Sequence, residues 1–205
     1  MNIAVFGGSR GVGRLVIEQA LDQGHTIRAL VRTPENFEMS DERVTAVSGN
    51  VLNLADVAAC IAGTDAVICS LGSTGDNPDN VVSRGTKNIV AAMQEAGVKR
   101  LIVVTSLGVG DSKEQVPFVF KMLMKTVLKT AMQDKELQEQ MVRESGLDWV
   151  MVRPGGLTDK PAAGSYQVGT DKSVMAGQIS RADVAAFVLQ QLTDDTYLHQ
   201  APGIS

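Results

Sequence analysis

The chain has 205 residues, 44% hydrophobic and 20% charged, with a formal net charge of -4. That length suits a single domain with a sizeable core, and the acidic balance argues against a general nucleic-acid binder, which needs a basic face. No window is apolar for long enough to span a bilayer, and Asn2 to Phe6 is too short for a signal peptide.

In chain order, Asn2 to Phe6 reads as a strand that runs into Gly7-Gly8-Ser9-Arg10-Gly11-Val12-Gly13. A helical pattern follows through Leu15, Val16, Ala20 and Leu21 and stops at Gly24. Thr26 to Val31 and Val44 to Val47 read as strands two and three, Asp56 to Ile61 as a short helix, and Ala66 to Cys69 as a fourth, buried strand. Asn77-Pro78 has the form of a helix start, and the helix carries Val81, Val82, Ile89, Val90 and Met93 before Gly97 ends it. Leu101 to Thr105 is a fifth strand, Pro117 to Glu144 holds one or two helices with Gly146 as terminator, and Trp149 to Val152 is a sixth strand. Thr158 to Gly177 lacks regular pattern and suits a substrate loop or short hairpin. Ser180-Arg181-Ala182-Asp183 resembles a capping box that opens a last helix through Leu192. Alternating strands and helices, with continuously apolar strands, predict one α/β domain over 1–205 of Rossmann type: a doubly wound, mostly parallel sheet with helices on both faces.

Cys60 and Cys69 match no zinc or redox spacing and lie among apolar residues, as buried reduced thiols do. That suits a cytoplasmic protein. His25 and His199 are the only histidines, so no histidine-rich metal site is expected.

The glycine run follows the first strand and opens the first helix. Gly7 suits a tight turn, while Gly11 and Gly13 let backbone approach a pyrophosphate at a helix N-terminus rich in free N–H donors. Ser9, Arg10 and Val12 share this loop. After strand two, an NAD enzyme usually carries an acidic residue for the ribose 2′-hydroxyl; here Arg32 and Thr33 stand there, and Arg10 can close over the same place. Arginine beside phosphate predicts NADPH in preference to NADH.

Ligands of such sheets lie beyond the carboxyl ends of the strands. Asn50 and Val51, Leu71, Gly72 and Ser73, Thr105 and Ser106, and Pro154, Gly155, Gly156 and Leu157 follow strands three to six and should surround the cofactor. Asn50 suits the adenine, and Ser106 can donate a hydrogen bond near the nicotinamide. Short-chain dehydrogenases commonly pair such a serine with Tyr-x-x-x-Lys, but four residues before Lys135 stands Ala131, and Tyr166 and Tyr197 are far down the chain. Lacking a tyrosine acid, the site favours acceptors whose reduced anion is delocalised and takes its proton from water: flavins, quinones and bilins. Phe118, Phe120, Met122, Leu123, Met124, Val127 and Leu128 can line a site for a flat ring or simply pack a core. Lys121, Lys125 and Lys129, four apart, should share one helix face.

These residues resemble the atypical short-chain dehydrogenases of the NAD(P)H-binding, NmrA-like kind, and within them the biliverdin reductase B, or NADPH-dependent flavin reductase, group. Asn2–Gly13, Ala29–Arg32, Gly49–Leu52, Asp65–Gly72, Gly85–Gly97, Val142–Val152 and Ile179–Asp195 carry the resemblance. It implies a monomeric NADPH enzyme that reduces FMN, FAD and some bilins, with flavin as substrate. Arg32 then matches the family's 2′-phosphate arginine, Ser106 its active-site serine, and Lys135 a basic or histidine residue facing the cofactor. Two positions depart from the pattern: Arg10 replaces the middle glycine of GxxGxxG, and Gly156 stands where the vertebrate enzymes have histidine. A non-catalytic NADP sensor of the NmrA-like type, and an assembly factor built on the same scaffold, remain the alternatives.

Overall fold

A computed structural model describes residues 1–73, 80–126 and 128–205. Five strands, β1 (Asn2–Phe6), β2 (Thr26–Val31), β3 (Val44–Ser48), β4 (Ala66–Cys69) and β5 (Arg100–Val104), form a parallel sheet with β6 (Asp148–Pro154). Their order is β3-β2-β1-β4-β5-β6, so the chain reverses direction across the sheet between β1 and β4. That switch opens a crevice above the strand ends.

Alternate side chains point to opposite faces of a strand, and each face has its own cover. Ile3, Val5, Ile27, Ile68, Ile102 and Val150 pack under α1 (Gly11–Asp22) and α6 (Arg181–Gln190). Ala4, Phe6, Val67, Leu101, Val103 and Met151 pack under α2 (Leu54–Ile61), α3 (Val81–Ala96) and α5 (Lys129–Arg143). Both faces of β1, β4, β5 and β6 are covered, which explains the unbroken apolar runs of these strands, whereas edge strand β3 is largely exposed.

The predicted start at Asn77-Pro78 lies outside the described residues. The first free N–H groups of α3, at Val82 and Ser83, donate to the Asp134 carboxylate of α5 at 2.9 and 2.8 Å. The region from Pro117 to Glu144 splits into α4 (Phe118–Lys125) and α5. Lys125 and Lys129 therefore sit on different helices, so the three lysines do not share one helix; Lys121 pairs with Glu114 at 2.5 Å.

The stretch from Thr158 to Gly177 forms no hairpin among the described residues. Its strand β8 (Val168–Gly169) pairs antiparallel with the C-terminal β10 (Gly203–Ile204), which itself continues the main sheet beside β6. On either side of that stretch, β7 (Gly156–Thr158) and β9 (Gln178–Ser180) make a separate parallel pair. The Ser180 hydroxyl caps α6 by accepting from Asp183 N–H at 3.0 Å. The second half of the capping box is missing, because the Asp183 carboxylate accepts from Ala163 and Gly164 N–H instead, both at 2.9 Å. The loop after β7 is thereby tied to the start of α6.

Candidate functional site

The loop between β1 and α1 has a shape only glycine permits. Gly7 has φ +83°, and a Cβ there would lie 2.4 Å from the Ser70 carbonyl oxygen at the end of β4. A Cβ on Gly13 would lie 2.2 Å from the Gly7 carbonyl oxygen. These approaches fold the loop tightly under the start of α1, so the free N–H groups of the first turn face the crevice. No acidic residue occupies that first turn.

Above the strand ends lies a cleft of about 440 Å³. The glycine loop lines it through Gly7, Ser9, Arg10, Gly11 and Val12, and the end of β2 through Arg32. Asn50 and Val51 line it after β3, Leu71 and Gly72 after β4, Thr105 and Ser106 after β5, and Pro154, Gly155 and Leu157 after β6. Lys135 reaches it from α5. Segments far apart in sequence thus converge as expected from the strand-end rule.

Four expected residues do not line the cleft. Gly13 is packed beneath the loop against Gly7, and its role is to allow that packing. Thr33 precedes the short 3₁₀ turn Pro34–Asn36, where the chain leaves the sheet, and its carbonyl accepts from Asn36 N–H at 3.1 Å. Ser73 follows Gly72, where the described wall ends. Gly156 is spent on the β7–β9 pair, donating its N–H to Gly177 at 2.8 Å. Of the apolar stretch expected as a ring-binding wall, none of the described side chains lines the cleft. Phe118 and Met122 are exposed, and Phe120 packs beside Leu107, Val116 and Val174.

Sequence reasoning also missed one cleft residue of note. Arg181, taken only as part of a helix start, brings its Nε to 3.9 Å from where a Gly11 Cβ would stand. No local motif signals this, because the contact joins residues at opposite ends of the chain.

The cleft is electropositive although the chain is acidic overall. Arg10, Arg32, Lys135 and Arg181 line it, and no Asp or Glu is among its described lining residues. Arg10 and Arg32 are exposed and form no ion pair among the described residues. Burial of the Lys135 ammonium lowers its pKa below the ordinary lysine value, against the attraction of Glu139 and Asp134. Its Nζ donates to the Val104 carbonyl at 3.3 Å. The Ser106 hydroxyl donates to the Leu107 carbonyl at 3.0 Å, a local bond it can exchange for a ligand by rotating about one torsion.

Beneath these groups lies a buried charge network. The Glu139 carboxylate accepts from Thr105 Oγ1 at 2.9 Å, from Arg153 Nε at 2.9 Å and Nη2 at 2.6 Å, and from Arg143 at 3.0 Å. Thr105, one residue before Ser106, is therefore fixed from below. Neither tyrosine lines the cleft. Tyr166 and Tyr197 pack around Phe187, with ring centroids 6.0 and 5.8 Å from it. Cys60 and Cys69 are buried and unpaired, and burial pushes the Cys60 thiol up to about 12, which leaves it inert.

The tight glycine loop, the cationic lining and the cleft volume suit an anionic dinucleotide, so fold and site define a dinucleotide-binding Rossmann domain. The chain belongs to a family described as NAD(P)H-binding, whose model matches residues 7–195. A UPF0659 protein of Saccharomyces cerevisiae is 30% identical over 204 residues, covering 94% of this chain and 87% of its own. YhfK of Bacillus subtilis, named as an uncharacterized sugar epimerase, is 29% identical over 201 residues, covering 95% and 89% respectively. Among solved structures, ChuY from Escherichia coli O157:H7, described as an anaerobilin reductase, matches with a TM-score of 0.84 and 26% identity, covering all of this chain and 96% of its own. Among the described residues no helix is long and apolar enough to cross a membrane.

Proposed function

We infer that this protein is an NADPH-dependent reductase of flat conjugated acceptors, with free flavins (FMN and FAD) as first candidates and bilins and quinones in the same class. One observation carries this most directly. The cleft that holds the dinucleotide loop also holds Ser106 and Lys135, yet no tyrosine lines it.

Bound NADPH supplies the hydride. The glycine loop and the start of α1 offer N–H donors to the pyrophosphate, and Arg32, with Arg10 nearby, offers guanidinium donors to the 2′-phosphate. Asn50 and Val51, which line the cleft after β3, would border the adenine end. Ser106 holds one hydrogen bond for the nicotinamide carboxamide or the acceptor, and Lys135 keeps a cation close by. With no phenol to protonate a product alkoxide, the site suits acceptors whose reduced form spreads its charge and draws a proton from water. The same feature disfavours carbonyl reduction and sugar epimerisation. The anaerobilin reductase at 26% identity supports placing bilins within the acceptor class. The family resemblance points to action as a monomer, which sedimentation of the purified protein tests.

The experiment is NADPH oxidation by purified protein with FMN, biliverdin and a quinone added in turn. Turnover with FMN and a preference for NADPH over NADH is the expected result. Tight NADPH binding without turnover on any acceptor would instead indicate a nucleotide sensor.

A further inference from the structure

We propose that Arg181, at the first position of α6, is a pyrophosphate clamp that grips the dinucleotide beside the glycine loop, across from the start of α1, and that Asp159 is its partner within the chain. The proposal rests on the cofactor reading above.

The geometry begins with placement. Arg181 lines the cleft, and its Nε stands 3.9 Å from the position of a Gly11 Cβ, directly beside the start of α1. That point already carries the positive end of the helix dipole and Arg10, with no acid in the first turn. A guanidinium parked against a positive helix end is unfavourable unless an anion lies between them. Within the chain the compensating anion is Asp159, whose Oδ1 accepts from Arg181 Nη1 at 2.7 Å. This carboxylate side chain is 90% exposed, so it is loosely held and readily exchanged, and an exposed ion pair of this kind is worth little. A phosphate bound between two sets of fixed donors outcompetes it.

The clamp is mounted on a rigid base. Ser180 caps α6, and Asp183 ties Ala163 and Gly164 to the same turn, so Asp159 and Arg181 belong to one braced unit beside β7 and β9. The arginine can therefore change partners without moving its backbone. Its expected target is the pyrophosphate beside Gly11, whereas Arg32 at the end of β2 serves the 2′-phosphate. The two arginines should be separable by ligand.

The test is calorimetric binding of NADP⁺, ADP-ribose and adenosine 2′-monophosphate, which has no 5′-phosphate, to the full chain and to R181Q, R181K and D159N. R181Q should weaken NADP⁺ and ADP-ribose by about the same factor, roughly tenfold, and leave adenosine 2′-monophosphate unchanged. R181K should recover part of that loss, and D159N should bind ADP-ribose at least as tightly as the unaltered protein. Unaltered protein that binds NADP⁺ while R181Q binds ADP-ribose equally well overturns the clamp alone. Equal losses on all three ligands, or a loss in D159N matching that in R181Q, also overturn it, since the pair would then be a structural brace. Failure of the unaltered protein to bind NADP⁺ or ADP-ribose overturns both the clamp and the cofactor assignment.

Discussion

Replacing Glu139 by alanine should destabilise the protein by about 3 kcal/mol, and the size of the loss follows from what the carboxylate touches. The side chains of Glu139 and Arg153 are 0% and 4% exposed, and they meet through bonds of 2.6 and 2.9 Å. Breaking one partner of such a pair costs roughly 3–5 kcal/mol, because the remaining charge stays buried. Arg153 keeps the Asp111 carboxylate at 2.6 Å, which places the cost near the lower end of that range. The Arg143 contact adds at most about 1 kcal/mol, since that side chain is 40% exposed. For a chain of this size the loss corresponds to a fall in Tm of about 6–12 °C. Urea unfolding followed by the fluorescence of Trp149, the single tryptophan, measures it. Removing both charges together, Glu139→Leu with Arg153→Met, should restore most of the stability, because no charge is then left unpaired. A loss below about 1 kcal/mol for Glu139→Ala, or a double variant as unstable as the single one, would refute the assignment of a buried, mutually dependent pair.

Arg32→Ala should weaken NADPH binding by about tenfold or more while leaving NADH nearly unchanged, as read by titration of each nucleotide; equal losses contradict a 2′-phosphate role. Ser106→Ala should lower kcat/KM for FMN by about tenfold with NADPH affinity within a factor of a few, and unchanged turnover removes Ser106 from the site. For Asp183, burial pushes the carboxyl up, but the Ala163 N–H, the Ser180 hydroxyl and the Gly164 N–H outweigh it, so its folded pKa lies below the ordinary carboxylate value. The sign follows from linkage: the stability it contributes is full above the unfolded-state value of about 4 and is lost as pH falls through the folded value. Urea midpoints between pH 7 and pH 3 should therefore decline less steeply for Asp183→Asn than for the unaltered protein, and parallel curves would contradict the three-donor geometry.

The fold was largely legible because its main determinants are local and periodic. Apolar runs such as Ala66–Cys69 mark strands buried on both faces, and Gly7, sitting between β1 and α1, marks the turn where the loop must tighten. The strand-end rule brought Arg32 and Ser106 to one cleft without any pairwise signal, while Lys135, on a helix, was legible only through the family resemblance. What escaped depends on contacts between distant segments. Capping of α3 by Asp134 and of the loop after β7 by Asp183 uses carboxylates whose partners lie 51 and 20 residues away. The pairing of β8 with β10 needs the chain end, so the stretch between Thr158 and Gly177 shows no period of its own. The aromatic and methionine residues of α4 carry the composition of a ring-binding wall, but composition does not say which way a helix faces, and Phe118 and Met122 face solvent.

The most direct measurement is the steady-state rate of NADPH consumption by the purified protein in the presence of FMN, with NADH as the paired control. Saturable turnover with FMN, faster with NADPH than with NADH at equal concentration and slowed by Arg32→Ala, is the predicted result. Binding of NADPH without any consumption in the presence of FMN, biliverdin or a quinone would contradict the reductase assignment.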